Sequence, residues 1–318
     1  SKLEERPVAP APSDKKLLKQ LSSWVDPSHR KPRQRLTTSA EGELFGSIEM
    51  RVQLTEQPST DRFALVRESV IGKDSVIWTP YGKRKLVYAD YTASGRLLGF
   101  VEDYLRDVAL PLYANTHTEA SATGFQTTVL REEARAIVAK ALNAPREEYA
   151  TLFVGTGCTG AIDKLGRVLG LQVPDWARPL LDDLLPAGRR PVVFHGPYEH
   201  HSNELWWRES IADVVAIAED ATGRPDLAML ERKLIEYAER PTKIGSFSAG
   251  SNVTGICTDV SAVAELLHAH GALAFFDFAG TGAYVDIDMS PPPRASGADA
   301  SMDAIFLSPH KFIGGPGS

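Results

Sequence analysis

Three short polar stretches, each following an apolar run, carry residues able to do chemistry. Lys311 sits in "SPHKFIGGPG", just after the apolar run at 305–307, with Ser308 and His310 before it. Asp277 ends the apolar run of "AFFDFAG". Gly155, Thr156, Gly157, Cys158, Thr159 and Gly160 spell "GTGCTG" between an apolar and an amphipathic stretch. A lysine amine held in a tight polar turn can condense with an aldehyde. A carboxylate at the end of an apolar strand needs a hydrogen-bonded or charged partner, because a lone charge in low dielectric is costly. A ring nitrogen that must stay protonated is one such partner, and a cap on the following segment is an equal alternative. The unpaired N–H groups of a helix start, with the hydroxyl of Thr156 or Thr159, can hold a phosphate. An ordinary strand-to-helix turn is the plainer reading of the same glycines.

Taken together, the three stretches fit one cofactor. A Schiff-base lysine paired with an acidic partner for a pyridinium nitrogen is the arrangement pyridoxal 5'-phosphate requires, and a phosphate cradle completes it. "GTGCTG" is not a Walker loop, because no Gly-Lys-Ser/Thr follows. A nicotinamide-binding dehydrogenase would rest on these glycines alone, and they lack an acid at the usual spacing after a βαβ unit. His195, His200 and His201 raise the alternative of a metal, but no cysteine or acid pattern completes a tetrahedral site, so no metal is expected.

Something must bring residues 156, 277 and 311 together. From about residue 85, short β-branched runs alternate with longer amphipathic ones. Residues 85–90, 150–155, 191–196, 213–220, 242–250, 272–280 and 303–309 read as strands. Residues 97–110, 125–144, 159–170, 226–240 and 260–271 read as helices. Such alternation implies an α/β fold with a mainly parallel sheet between two layers of helices, and ligands gather at the carboxyl ends of its strands. All three polar stretches follow predicted strands, so all three would face one side of the sheet.

The bulk properties narrow the function. The longest apolar runs fall far short of the roughly 20 residues a membrane helix needs, so no membrane span is expected. A net charge of -6 leaves no basic footprint for nucleic acid. Two distant cysteines, Cys158 and Cys257, argue against a disulfide framework and for a reducing, cytoplasmic setting. Residues 1–60 are rich in Pro, Ser, Lys and Glu and read as a mobile or loosely packed segment. Their basic character is also compatible with an organelle transit segment. Residues 61–318 read as the cofactor-binding domain.

From about residue 68 the chain resembles the class V aminotransferase family of pyridoxal-phosphate enzymes, which includes cysteine desulfurases and selenocysteine lyases. The motifs that carry the resemblance are "YADYTASG", "NTHTEAS", "REEAR", "GTGCTGAI", "YEHHSNELWW", "SAGSNVTG", "FDFAG" and "SPHK", in that order. It implies a fold type I large domain, with a C-terminal small domain expected to be missing from this chain, and a homodimer for the full-length protein. It implies that His200 stacks on the cofactor ring, Asn252 approaches the phenolic oxygen, Asp277 pairs with the ring nitrogen and Lys311 forms the Schiff base. Thr156, Gly157 and Cys158 would meet the phosphate together with Ser308 and His310. Asn115 and His117 would reach the substrate or a neighbouring subunit, or simply cap and pack.

The expected activity is a transferase or lyase reaction on an amino acid, with desulfuration of cysteine or release of selenium among the outcomes. The alternative is a truncated or degenerate relative that keeps the fold as a non-catalytic binding or assembly module. Two departures bear on this choice. Desulfurases of the family use a mobile cysteine and a carboxylate-binding arginine beyond the Schiff-base lysine, and these 318 residues contain neither stretch. They also carry glutamine where "DFAG" has Gly280. Cys158, at a helix start where a thiol pKa can fall, is a weaker candidate sulfur acceptor, and Cys257 reads as a small packing residue.

Overall fold

The computed structural model describes residues 62–292 and 297–316; the segment 1–60 lies outside them. Helix α1 (Arg62–Ser69) leads into a two-stranded antiparallel hairpin, β1 (Val76–Thr79) and β2 (Gly82–Lys85). Helix α2 (Gly99–Tyr104) continues through a five-residue π turn, Leu105–Ala109, into a 3₁₀ turn, Leu110–Leu112. The 20-residue helix α3 (Ala122–Ala141) follows, capped by Ser121, whose Oγ accepts from Gly124 N at 3.2 Å.

The remainder builds the sheet. Helix α4 (Gly157–Val168) and the short α5 (Leu181–Leu184) precede β3 (Val192–His195). Then come α6 (His201–Arg208), β4 (Asp213–Ala216), α7 (Leu227–Glu236), β5 (Lys243–Ser248), α8 (Val260–Ala269), β6 (Leu273–Asp277) and β7 (Ala304–Phe306). The five strands β3 to β7 are all parallel, in the order β4-β3-β5-β6-β7. The order reverses at β3, so a crevice opens between the carboxyl ends of β3 and β5, where α/β sheets bind ligands.

Both faces of the sheet are covered. Successive strand residues point to opposite sides, and the core divides accordingly. Val192, Phe194, Phe247 and Phe276 pack with Leu230 and Leu234 of α7 and Leu267 of α8. Val193, Ile244, Phe275 and Phe306 pack on the other side with Ile162 of α4 and Trp207 of α6. Helices α7 and α8 start where Asp226 and Asp259 accept from the backbone N–H three residues on, at 2.9 and 3.0 Å.

Two expected strands are absent. Past Leu86, whose N–H still donates to Ser75 O at 2.8 Å, residues 87–90 leave the hairpin and run into a turn in which the Asp90 carbonyl accepts from Ala93 N and Ser94 N, both at 3.2 Å. Residues 150–155 have no ladder partner among the described residues, and Leu152 is 59% exposed. β-branched and apolar composition makes a strand only where a neighbour supplies the ladder.

The turn after residue 90 is locked to the Lys311 loop. Gly95 N donates to His310 O at 2.8 Å, and a Cβ at Gly95 would lie 1.9 Å from Phe312 O. A backbone atom cannot swing aside as a side chain can. Gly95→Ala is therefore expected to destabilise the protein by about 1–3 kcal/mol. The check is a lower urea midpoint with an unchanged slope.

Candidate active site

The carboxyl ends of β3, β5, β6 and β7 surround a cleft of about 420 Å³, within the size range of small-ligand sites. From the start of α4 come Thr156 and Cys158, and from the start of α6 comes His200. The loop after β5 contributes Asn252, β6 contributes Asp277, and the turn after β7 contributes Ser308, His310 and Lys311. Gly157 does not line the cleft but lies against Ser308 and His310, described next.

Helix α4 begins under strain. Gly155, Thr156 and Gly157 have φ of 73°, 50° and 59°, and the left-handed conformation of a non-glycine such as Thr156 costs on the order of 1 kcal/mol or more. The docking of α4 onto the Lys311 turn holds it there. Cys158 N donates to Ser308 Oγ at 3.0 Å, and a Cβ at Gly157 would sit 2.8 Å from that oxygen and 3.0 Å from His310 Cε1. Position 157 thus forms a cradle that any side chain would fill.

Asp277 is 3% exposed. Its Oδ1 accepts from Ala279 N at 2.8 Å. No ion pair reaches it among the described residues. Burial raises its pKa, opposed by the Ala279 N–H, the Cys158 thiol and the charges of Lys311 and His200. The expectation of a lowered Cys158 pKa is corrected: burial, followed by the neighbouring Asp277 charge, pushes this thiol above its ordinary value. A helix start lowers a thiol pKa only where the thiolate is not penalised more by desolvation.

His200 caps α6. Its Nδ1 accepts from Ser202 N at 3.2 Å and lies 3.0 Å from Ser202 Oγ. The preceding residue, Glu199, anchors this turn: Oε1 accepts from Gly196 N at 3.1 Å and Ser248 N at 2.8 Å, and Oε2 accepts from Asn203 Nδ2 at 2.6 Å. Glu199 thereby ties the ends of β3 and β5 to α6 at the reversal of strand order. Burial pushes its pKa up to about 7, with the three N–H donors opposing and the Asp277 charge assisting.

Other expected residues fall elsewhere. Asn115 and His117 are exposed and do not line the cleft. Buried His195 bonds the Gly196 carbonyl through Nδ1 at 2.9 Å, so the three histidines do not act as one set. Cys257 is exposed, not packed. Gly280 does line the cleft, and a Cβ there would meet Asn252 Cβ at 3.5 Å, Asn252 Cα at 3.6 Å and Gly250 O at 3.7 Å, all ordinary contacts. Asp90, Thr92 and Ala93 also line it. Their signal was the "YADYTASG" motif, to which no chemical role attached because tertiary contacts such as Gly95 N to His310 O and Gly314 N to Arg96 O bring it to the site. Ser202, Ser248 and Gly250 were missed for the same reason: their contribution is positional.

A parallel sheet between helices, with this cleft at its carboxyl edge, defines a fold type I transferase-like domain. The chain belongs to the class-V aminotransferase family, whose profile matches residues 87–317. It is 25% identical over 237 residues to a probable cysteine desulfurase of Streptomyces coelicolor, covering 73% of this chain and 51% of that protein. It is 28% identical over 207 residues to the cysteine desulfurase CsdA of Escherichia coli, covering 64% of this chain and 45% of that one. The apo cysteine desulfurase of Thermococcus onnurineus NA1 shares the fold with a TM-score of 0.56 at 21% identity, over 78% of this chain and 53% of that chain. The S-sulfonic acid form of Escherichia coli CsdA gives 0.55 at 24% identity, over 78% and 54%. The chain spans about half the length of the curated relatives it matches. Among the described residues, no helix is long and apolar enough to cross a membrane.

Glu199 carries a pH signature with a definite sign. Between its ordinary value of 4.5 and about 7 the folded state holds a proton that the unfolded state releases, so this group's contribution to stability falls as pH rises through that window. Relative to Glu199→Gln, the wild type is expected to lose up to about 3 kcal/mol across it. Urea unfolding of both proteins at several pH values measures the difference.

Proposed function

We propose that the cleft binds pyridoxal 5'-phosphate and that the protein acts on an amino acid, with L-cysteine the first candidate because the relatives above are cysteine desulfurases. The observation that carries this reading is the meeting of Asp277 and Lys311 in one cleft. The residues present fit the cofactor. Asp277 is a buried carboxylate that makes no ion pair among the described residues, as a partner for a protonated ring nitrogen would be. The cradle at Gly157 and the hydroxyls of Thr156 and Ser308 suit a phosphate.

Bound there, the cofactor would supply an aldehyde for Lys311 and an electron sink for charge left at an amino acid's α-carbon. The protein's own groups divide the remaining work. Asp277 would accept a hydrogen bond from the ring N–H and keep that proton in place, with burial strengthening the contact. Lys311 Nζ, once the substrate amine has displaced it from that aldehyde, would take the α-proton as general base. His200 would cover the ring face, Asn252 would approach the phenolic oxygen, and Ser308, His310, Thr156 and Cys158 would hold the phosphate end. Gly280 puts no side chain beside Asn252, leaving Asn252 to make that approach alone.

The test begins with the cofactor added to the full chain, borohydride reduction and peptide mapping. A pyridoxyl adduct on Lys311, absent from Lys311→Ala, is expected; no adduct in the wild type would favour the non-catalytic module. Asp277→Ala is expected to slow exchange of the cysteine α-proton with D₂O by at least about 100-fold, with a smaller change in cofactor affinity. Equal losses in both would assign Asp277 to binding alone.

A further inference from the structure

The groups around His200 leave its ring only one neutral arrangement. The Ser202 backbone N–H points at Nδ1 from 3.2 Å, and a backbone N–H can only donate. Nδ1 must therefore be an acceptor. The Ser202 hydroxyl, 3.0 Å from the same nitrogen, completes its best bonding by donating to it as well. Ser202 Oγ is then free to accept, and Thr159 Oγ1 lies 2.7 Å away on α4. The chain of donors runs one way, from Thr159 to Ser202 to His200.

We propose that Ser202 and Thr159 are positioning residues that hold neutral His200 in its Nε2–H tautomer, so that the ring offers the cleft a hydrogen-bond donor. Nε2 has no hydrogen-bond partner among the described residues, and His200 lines the cleft. With Nδ1 engaged and Nε2 carrying the hydrogen, the neutral ring has no vacant acceptor nitrogen. It binds an acceptor group, such as a carboxylate or phenolate oxygen, and does not compete with Lys311 for the α-proton. That division of labour rests on the cofactor site proposed above; the tautomer itself does not.

Long-range ¹H–¹⁵N correlation spectra of the full chain, labelled at histidine nitrogens and recorded without cofactor at about pH 8.5, where an ordinary imidazole is neutral, test the tautomer. His200 is assigned by its disappearance in His200→Gln. The Nε2–H form is expected to dominate in the wild type. Ser202→Ala keeps the backbone donor but loses the hydroxyl, so the tautomer ratio should fall roughly two- to tenfold. Thr159→Val should lower it less, and Ser202→Thr should restore it. A wild-type spectrum dominated by Nδ1–H, or a ratio unmoved by Ser202→Ala, overturns the proposal. Should Ser202→Ala fail to fold, the wild-type spectrum and Thr159→Val decide. Because no cofactor is present, the outcome is separate from that of the borohydride mapping.

Discussion

A carboxylate shut away from water at the end of β6 dictates much of what surrounds it. Asp277 lies between β5 and β7, and its backbone is committed to the sheet on both sides. Among the described residues, one hydrogen bond reaches its side chain, from the Ala279 N–H, fewer than a buried carboxylate can accept. Burial raises the Asp277 pKa, and burial together with the Asp277 charge raises those of Cys158 and Glu199. A cationic ring nitrogen arriving in the cleft would relieve all of these at once, and the same desolvation that makes the empty state costly would make the paired state strong.

The cleft is rigid on the side that faces this carboxylate. Three successive left-handed residues before α4 are a strained route into a helix, and they persist because Ser308 and His310 close over Gly157. The Lys311 turn is in turn braced from beneath by Gly95. The Lys311 turn, the start of α4 and the segment at 90–95 are therefore one mechanical unit assembled from distant parts of the chain.

The opposite wall is organised by acceptors. Glu199 gathers N–H donors from Gly196, Asn203 and Ser248, and its neighbour His200 accepts another from Ser202 at the start of α6. Asn203 continues the pattern, since its Oδ1 accepts from Ser246 Oγ at 2.6 Å and Trp207 Nε1 at 3.1 Å. Each donor has a fixed direction, so the network specifies one orientation of each side chain and transmits that order to the ring exposed in the cleft.

Much of this was legible beforehand. The alternation of β-branched and amphipathic runs specified the parallel sheet, because burial on both faces demands unbroken apolar strands such as 192–194. Lys311, Asp277 and "GTGCTG" were legible as chemistry because residue type alone limits what an amine, a carboxylate and a glycine-rich helix start can do. Pairing and proximity were not legible. Residues 150–155 have strand composition but no neighbour, Cys158 has a helix-start position but a desolvated thiol, and Ser202 and Glu199 act only through what they touch. Composition and order determined the chemical groups and the kind of sheet. Tertiary structure decided which groups meet, how dry each one is and which way each hydrogen bond runs, since these depend on atoms far apart along the chain.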